Sequence, residues 1–311
     1  MKNFHFCISG GDEIIFRSEE DYIRGYNTLA LAAAETGAQL AADAIMSTHI
    51  HVCVRTDDVK GLIHRFWKSY TRYFNSKYGR QGKLGEHPFI VEIDGFYRWL
   101  TAICYVLRNP VHHGVAPTPF AYRHCSASSL FRKETGREDR TDILPRKSYY
   151  KYLPKGSICP EGLVMDSTGL ILRETAMDIN EVEHIFGTPR SFLFYMNRLS
   201  GEEWRREQEK DQSSQPPVTL EMMEGAASFQ SLSEMLSNEH GRFDYRALKD
   251  MEVCTIIDRD ILPSAGYASV YELSANEKQR LVNLLFADYR IPQRQARRCL
   301  ACMWGRMKKG L

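Results

Sequence analysis

From the first residue to about residue 115, strand-like and helix-like hydrophobic periods alternate, and this constrains the fold more than any other feature of the chain. Phe4, Phe6 and Ile8 alternate with polar or small residues, as in a half-buried strand. Gly10-Gly11-Asp12 is a turn signal, and Ile14-Ile15-Phe16 reads as a resumed extended edge. Asp21 to about Thr36 is rich in Ala and Leu, is closed by Gly37, and reads as a helix. Gln39–Val54 is the next strand region, with Ile45, Ile50, Val52 and Val54 as its apolar members. Asp57 and Asp58 open a long helix to about Tyr78, because negative charge favours the N-terminal end of the helix dipole. After a loop marked by Gly79, Gly82 and Gly85, Phe89–Ile93 is a β-branched strand. Phe96 to about Arg108 is then a helix stopped by Pro110, whose ring disfavours helical geometry in the residue before it. Strands separated by helices, with at least one strand pair too close for a crossover, predict an α+β layer: an antiparallel sheet with helices on one face.

A chain of 311 residues holds more than one domain by size. Residues 1–130 form the first unit, and 131–212 an extension that is loop-like to Lys155 and helical from Asp178 to about Lys210. Within Asp211-Gln-Ser-Ser-Gln-Pro-Pro217, residues 213–217 read as a linker. Residues 218–311 are mostly helical, including Leu220–Leu248. Ser274-Ala-Asn-Glu277 is a capping box, and Pro292 suits the first position of a second helix, with Ala296, Leu300, Met303 and Met307 at helical spacing. Residues 274–309 therefore read either as a helix-turn-helix or as a basic helical pair docked on the rest.

Net charge is only +2, so the distribution matters more than the total. Arg55, Lys60, Arg65, Lys68, Arg72, Lys77 and Arg80 are set against Asp57 and Asp58 alone, and the stretch Tyr289–Leu311 is basic without an acid. Two such segments are the footprint of a polyanion partner, although solvated helix faces give the same pattern. The eight cysteines follow no disulfide spacing, and Cys299-x-x-Cys302 lacks a second pair or a nearby His. No signal peptide or apolar run of membrane length is read, so a cytoplasmic location is expected.

His49-Ile50-His51 lies in a strand region, so both imidazoles project from one face while Ile50, Val52 and Val54 take the other. Such a pair is a two-point metal ligand or a polar strand edge. Tyr105 and Asn109 are four apart on a helix and share a face. Asn109 offers an oxygen ligand and Tyr105 a phenol one turn back, unless they are merely a helix terminator and a packing residue. A phosphodiester substrate favours joining the two pairs. A phenol of pKa ~10 is a poor nucleophile at neutral pH, and a cation on the phosphate lowers the cost of forming phenolate. A phosphotyrosine conserves the bond for rejoining, and no water-activating carboxylate stands beside the histidines.

With these residues in order, the chain resembles the single-tyrosine HUH transposases, most closely the REP-associated tyrosine transposases. Ile45-Met-Ser-Thr-His-Ile-His-Val-Cys-Val54 resembles the family's histidine strand, Ser69–Arg80 its basic aromatic helix end, and Tyr105-Val-Leu-Arg-Asn-Pro-Val111 with Gly114 its nucleophile block. Tyr122, Ser126 and Ser128 match the segment that follows, and the resemblance spans about residues 3–130. It implies a ferredoxin-like HUH nuclease domain that binds magnesium or manganese. His49, His51 and Asn109 would be the ligands and Tyr105 the nucleophile, cleaving single-stranded DNA flanked by hairpins through a 5′-phosphotyrosine. Relatives include monomers and homodimers, so action in cis or in trans stays open.

The family's Asn-Arg-Gly run is replaced here by Ser9-Gly10-Gly11, and its Gly-Arg-Phe run by Glu86-His87-Pro88-Phe89, removing two basic positions near DNA. His112-His113 stands where a basic pair is common and reads as a solvated or phosphate-facing loop. Lys68, Arg72, Lys77 and Arg80, with Tyr70 or Tyr73 as a stacking platform, are the expected contacts for single-stranded or hairpin DNA. Arg297 and Arg298 are the expected contacts for duplex DNA through the tail. Two other functions fit part of the sequence: a DNA-binding regulator using the C-terminal helices, and a metal phosphoesterase using water.

Overall fold

β1 (Lys2–Ser9) is one of the sheet's two inner strands, paired on both edges. A computed structural model describes residues 1–11, 13–137, 141–198, 201–211, 213–219, 222–223 and 248–302. After β1 come α1 (Glu19–Thr36), β2 (Gln39–Ile45), β3 (His49–Thr56), α2 (Val59–Tyr78), β4 (Phe89–Ile93) and α3 (Phe96–His112). The sheet runs β2-β3-β1-β4 with every neighbouring pair antiparallel, the order of a split β-α-β unit.

The register sorts the side chains. Phe6 faces Val52 and Ile90 across the ladders, while Cys7 faces His51 and His5 faces Cys53. Phe4, Phe6, Ile8, Ile50, Val52 and Val54 therefore share one face, and His5, Cys7, His49, His51 and Cys53 the other. α1 and α2 cover the apolar face. Asp43 of β2 lies level with Val52, and Arg173 joins its carboxylate at 2.8 Å while stacking on Tyr26 of α1. α3 covers the histidine face, where the rings of Tyr105 and His51 meet. Helices thus lie on both faces, not on one as the sequence suggested. β3 is buried along nearly its whole length, and a strand closed on both sides needs two covering layers.

Other expectations are corrected by long-range bonds. The region Gln39–Val54 is a hairpin, turned at Met46–Thr48, where the Met46 amide donates to the His49 carbonyl. Ile14–Phe16 is no strand, because the Ile15 and Phe16 amides both donate to the Ser47 carbonyl. Pro110 lies inside α3, which continues to His112; so near the helix end the missing N–H removes a single ladder bond.

The extension shares the main core. Leu130, Phe131, Phe192 and Trp204 cluster with the sheet's apolar residues. The predicted helical stretch is α4 (Ile179–Phe186), α5 (Pro189–Asn197) and α6 (Gly201–Gln208). The predicted linker is a docked strap: the Asp211 carboxylate accepts from the Tyr97 and Arg98 amides, and Arg98 donates to the Gln215 carbonyl. The proposed helix over Leu220–Leu248 falls largely outside the described residues.

The C-terminal part has its own core. α7 (Asp250–Ile256) continues through a wide turn to Ser264, followed by α8 (Ala275–Tyr289) and α9 (Gln293–Cys299). Val253, Ile257, Leu262, Val282, Leu285 and Leu300 form its centre, and Ile14 joins them from the first unit. The capping box at Ser274 and Glu277 forms as predicted, whereas Pro292 caps α9 one residue earlier than expected. Residues 303–309 of the expected helix-turn-helix lie outside the described residues. Polar contacts hold this part in place: Arg17 reaches Asp258 and the Cys299 carbonyl at 2.7 Å each, and Tyr271 donates to Glu13 at 2.7 Å. No described helix is long and apolar enough to cross a membrane.

Candidate active site

Strand alternation and helix spacing aim two pairs of side chains at one another. His49 and His51 project from β3 toward α3, and Tyr105 and Asn109 project from successive turns of α3 toward β3. His49 Nε2 lies 3.2 Å from Asn109 Oδ1. The Tyr105 ring stands edge-on to His51, with centroids 5.1 Å apart and planes at 88°. The four residues that spacing singled out are therefore brought together.

Each histidine is anchored at its other nitrogen. Thr48 Oγ1 is 3.0 Å from His49 Nδ1, and His5 Nε2 is 3.0 Å from His51 Nδ1. His51 Nε2 faces Cys7 Sγ at 3.9 Å. His113 packs against His49, with ring centroids 5.5 Å apart, so it is a buried neighbour of the site and not a solvated loop residue. The sequence singles out neither His5 nor Thr48 for the site, and it places His113 in a loop. The only local signal for His5 is its place among Phe4, Phe6 and Ile8, and its meaning depends on the β1–β3 register.

Burial sets the electrostatics. His49 and His51 are fully buried, Asn109 nearly so, and Tyr105 is 6% exposed. Desolvation lowers His5 to about 3. It lowers His49 to about 4, against the hydrogen bond to the Asn109 oxygen and with the nearby Arg298 charge. Desolvation, then neighbouring imidazoles, holds His51 and His113 well below the usual range. Burial and the Glu86 charge push the Cys7 thiol up. At neutral pH the site is a set of uncharged nitrogens and oxygens.

That set fits a divalent cation. Neutral imidazoles have lone pairs to give, and anchoring at Nδ1 leaves Nε2 as the ligand atom, the arrangement expected of metal-bound histidines. A 3.2 Å separation of His49 Nε2 and Asn109 Oδ1 suits adjacent ligands on one cation at ~2.1 Å. Among the described residues no group of three His, Cys, Asp or Glu side chains is arranged to hold a metal, so a cation between His49 and His51 would need a further ligand such as the Asn109 oxygen. Imidazole nitrogens alone do not select magnesium or manganese over zinc.

The DNA-binding candidates divide. Lys68 and Arg72 are exposed on α2. With Lys60, Lys83, His64 and Trp67 they line an open groove of about 560 Å³ whose lining contains no acid. Ile90 also lines it and shares the face of Phe6, so the groove lies across the sheet from Tyr105. Tyr73 and Lys77 are instead bound to Asp21 of α1, at 3.0 and 2.7 Å. Arg80 is bound to Glu13 at 2.6 Å. Arg297 reaches Gln279 at 2.9 Å, while Arg298 is buried and paired with Asp250 at 2.6 Å. Tyr70 is fully buried with its hydroxyl on the Ile15 carbonyl at 2.7 Å, so it cannot stack on a base, and Tyr73, Lys77, Arg80 and Arg298 are fastenings of the fold.

Comparison with family models finds no match, and comparison with curated proteins finds none. Among solved structures, the chain is similar to one described as "Structure of the REP associates tyrosine transposase bound to a REP hairpin". The TM-score is 0.37 and the identity 12%, over 44% of this chain and 80% of that one. At that distance the likeness supports no inference about the chemistry.

Proposed function

We propose that the protein is a metal-dependent single-stranded DNA endonuclease and strand transferase of the transposase type, with Tyr105 as nucleophile and His49, His51 and Asn109 as metal ligands. The observation that carries this reading is the meeting of His49 with Asn109 and of His51 with Tyr105, between a strand and a helix some 60 residues apart. The sequence resemblance supports the same assignment and supplies magnesium or manganese as the cation.

A bound divalent cation would draw charge from the scissile phosphate. Tyr105 Oη would then attack phosphorus, its proton passing to solvent. The bond from phosphorus to the 3′-oxygen breaks, and that oxygen takes up a proton to leave a 3′-hydroxyl. His49, His51 and Asn109 would hold such a cation without adding negative charge of their own. The buried α3 side chains hold the phenol beside His51 and keep water from the ester. A strand reaches Tyr105 only after a covering element moves, since the side chain is 6% exposed. The substrate expected from the resemblance is a single strand flanked by a hairpin.

Incubation of the full chain with Mn²⁺ and single-stranded hairpin DNA should yield a covalent protein–DNA adduct that Tyr105→Phe abolishes. Metal-dependent cleavage that survives Tyr105→Phe and never traps DNA would replace this reading with a water-using phosphoesterase.

A further inference from the structure

His5 lies outside the expected ligand set, yet the structure places it at the centre of the site. β1 pairs with β3 so that His5 stands diagonally beside His51 on the α3 face. Its Nε2 is 3.0 Å from His51 Nδ1, and the two rings stack with centroids 5.2 Å apart and planes 20° apart. Both imidazoles meet the Tyr105 ring edge-on, His5 at 6.2 Å and His51 at 5.1 Å. His5 is fully buried, and its remaining nitrogen, Nδ1, has no hydrogen-bond partner. A buried polar atom left unsatisfied calls for a reason.

Resting on the function proposed above, we infer that His5 is a positioning residue, which fixes His51 in the tautomer that can bind metal and buttresses Tyr105. A ligand at Nε2 needs its lone pair, so the His51 proton must sit on Nδ1. There it donates to His5 Nε2, and the proton of His5 is thereby confined to Nδ1, the atom without a partner. Metal-bound histidines elsewhere give this bond to a carboxylate, a carbonyl or water. An imidazole acceptor fixes the orientation equally well and adds no negative charge, keeping the protein's own contribution to the site neutral. The unsatisfied Nδ1 is then a consequence of holding His51 in its ligand form. His5 touches no reacting atom in this scheme, and it acts through His51.

The test compares wild type, His5→Phe and His5→Gln in the full chain. His5→Phe keeps the ring volume and removes the acceptor, whereas His5→Gln restores an amide oxygen. In ¹⁵N-histidine NMR without metal, His51 should show one dominant tautomer in the wild type and a mixture in His5→Phe. Mn²⁺ affinity, read by electron paramagnetic resonance, should fall by about 10–100-fold in His5→Phe, the range for losing an outer partner, and recover in His5→Gln. Circular dichroism identifies a variant that fails to fold, and His5→Gln then carries the comparison with wild type alone: retained affinity and tautomer support the inference, and loss of both overturns it. A folded His5→Phe with wild-type tautomer and Mn²⁺ affinity also overturns it. Failure of the wild type to bind Mn²⁺ or trap DNA sinks the proposed function instead, and the metal-free spectra still decide whether His5 sets the His51 tautomer.

Discussion

Asn109 Oδ1 and His49 Nε2 face each other at 3.2 Å, joining the end of α3 to the start of β3. Asn109→Ala should remove the only oxygen of the proposed ligand set and weaken Mn²⁺ binding by more than the ~10–100-fold that an outer partner costs. Asn109→Asp keeps the oxygen and adds a charge beside His49, so it should bind Mn²⁺ more tightly than wild type. Titration of the metal-free variants decides this. Equal affinities across the three proteins would remove Asn109 from the site.

The legible parts of this fold are those with local causes. Gly37 and Gly79 close α1 and α2 in the left-handed conformation that glycine adopts without strain, and their positions stand out in the sequence. The face shared by Tyr105 and Asn109 follows from helix period alone. The illegible parts depend on distant partners. The acceptor of the Ile15 and Phe16 amides lies more than thirty residues on, at Ser47, so an apolar run that resembles a strand becomes a docked loop. Asp211 sits in a polar, proline-rich segment typical of a linker, yet its carboxylate caps α3. Lys77 and Arg298 show the same limit for charge: a basic run says nothing about the buried carboxylates waiting for it.

Asp250 ties α7 to two other elements, accepting from Ser47 of the β2–β3 turn and from Gln295 and Arg298 of α9. Asp250→Ala would take the carboxylate at 2.6 Å away from the buried Arg298 charge, and loss of one partner from such a pair costs about 3–5 kcal/mol. Urea denaturation of the full chain measures this. Asp250→Leu combined with Arg298→Met should recover part of the loss, because no uncompensated charge then remains. A loss under about 1 kcal/mol in the single variant would show that the clasp is not anchored as the geometry indicates.

The buried imidazoles predict acid sensitivity in the metal-free protein. His5 falls to about 3 and His49 to about 4 in the folded chain, against 6.5 ordinarily. As pH drops below 6.5 the unfolded chain takes up protons that the folded one refuses, so stability falls with pH. This contribution is complete above that value and disappears toward the folded-state values, at up to about 1.4 kcal/mol per pH unit for each histidine. Denaturation midpoints at pH 7.5 and pH 5 should differ accordingly, and His5→Phe should flatten the slope. Identical slopes in the two proteins would place His5 outside this linkage.

Two kinds of cation on α2 should separate by salt dependence. Lys68 and Arg72 line the open groove, whose described lining holds no acid to compete with phosphates for them. Lys77 is tied to Asp21 and Glu20 at 2.7 and 2.9 Å, and Arg80 to Glu13 at 2.6 Å. If the groove carries a single strand, Lys68→Ala and Arg72→Ala should each weaken binding and reduce the slope of log affinity against log salt by about 0.7. Their effect on stability should stay within about 0.5 kcal/mol, as for ordinary surface changes. Lys77→Ala should do the reverse, leaving the slope unchanged while destabilising the fold by about 1–3 kcal/mol, since it withdraws a charged donor from the buried Asp21. Fluorescence anisotropy with a labelled hairpin oligonucleotide at several salt concentrations reads the first effect, and urea denaturation the second. An unchanged slope in both Lys68→Ala and Arg72→Ala would mean that DNA does not follow this groove, and that the basic face of α2 is solvated surface.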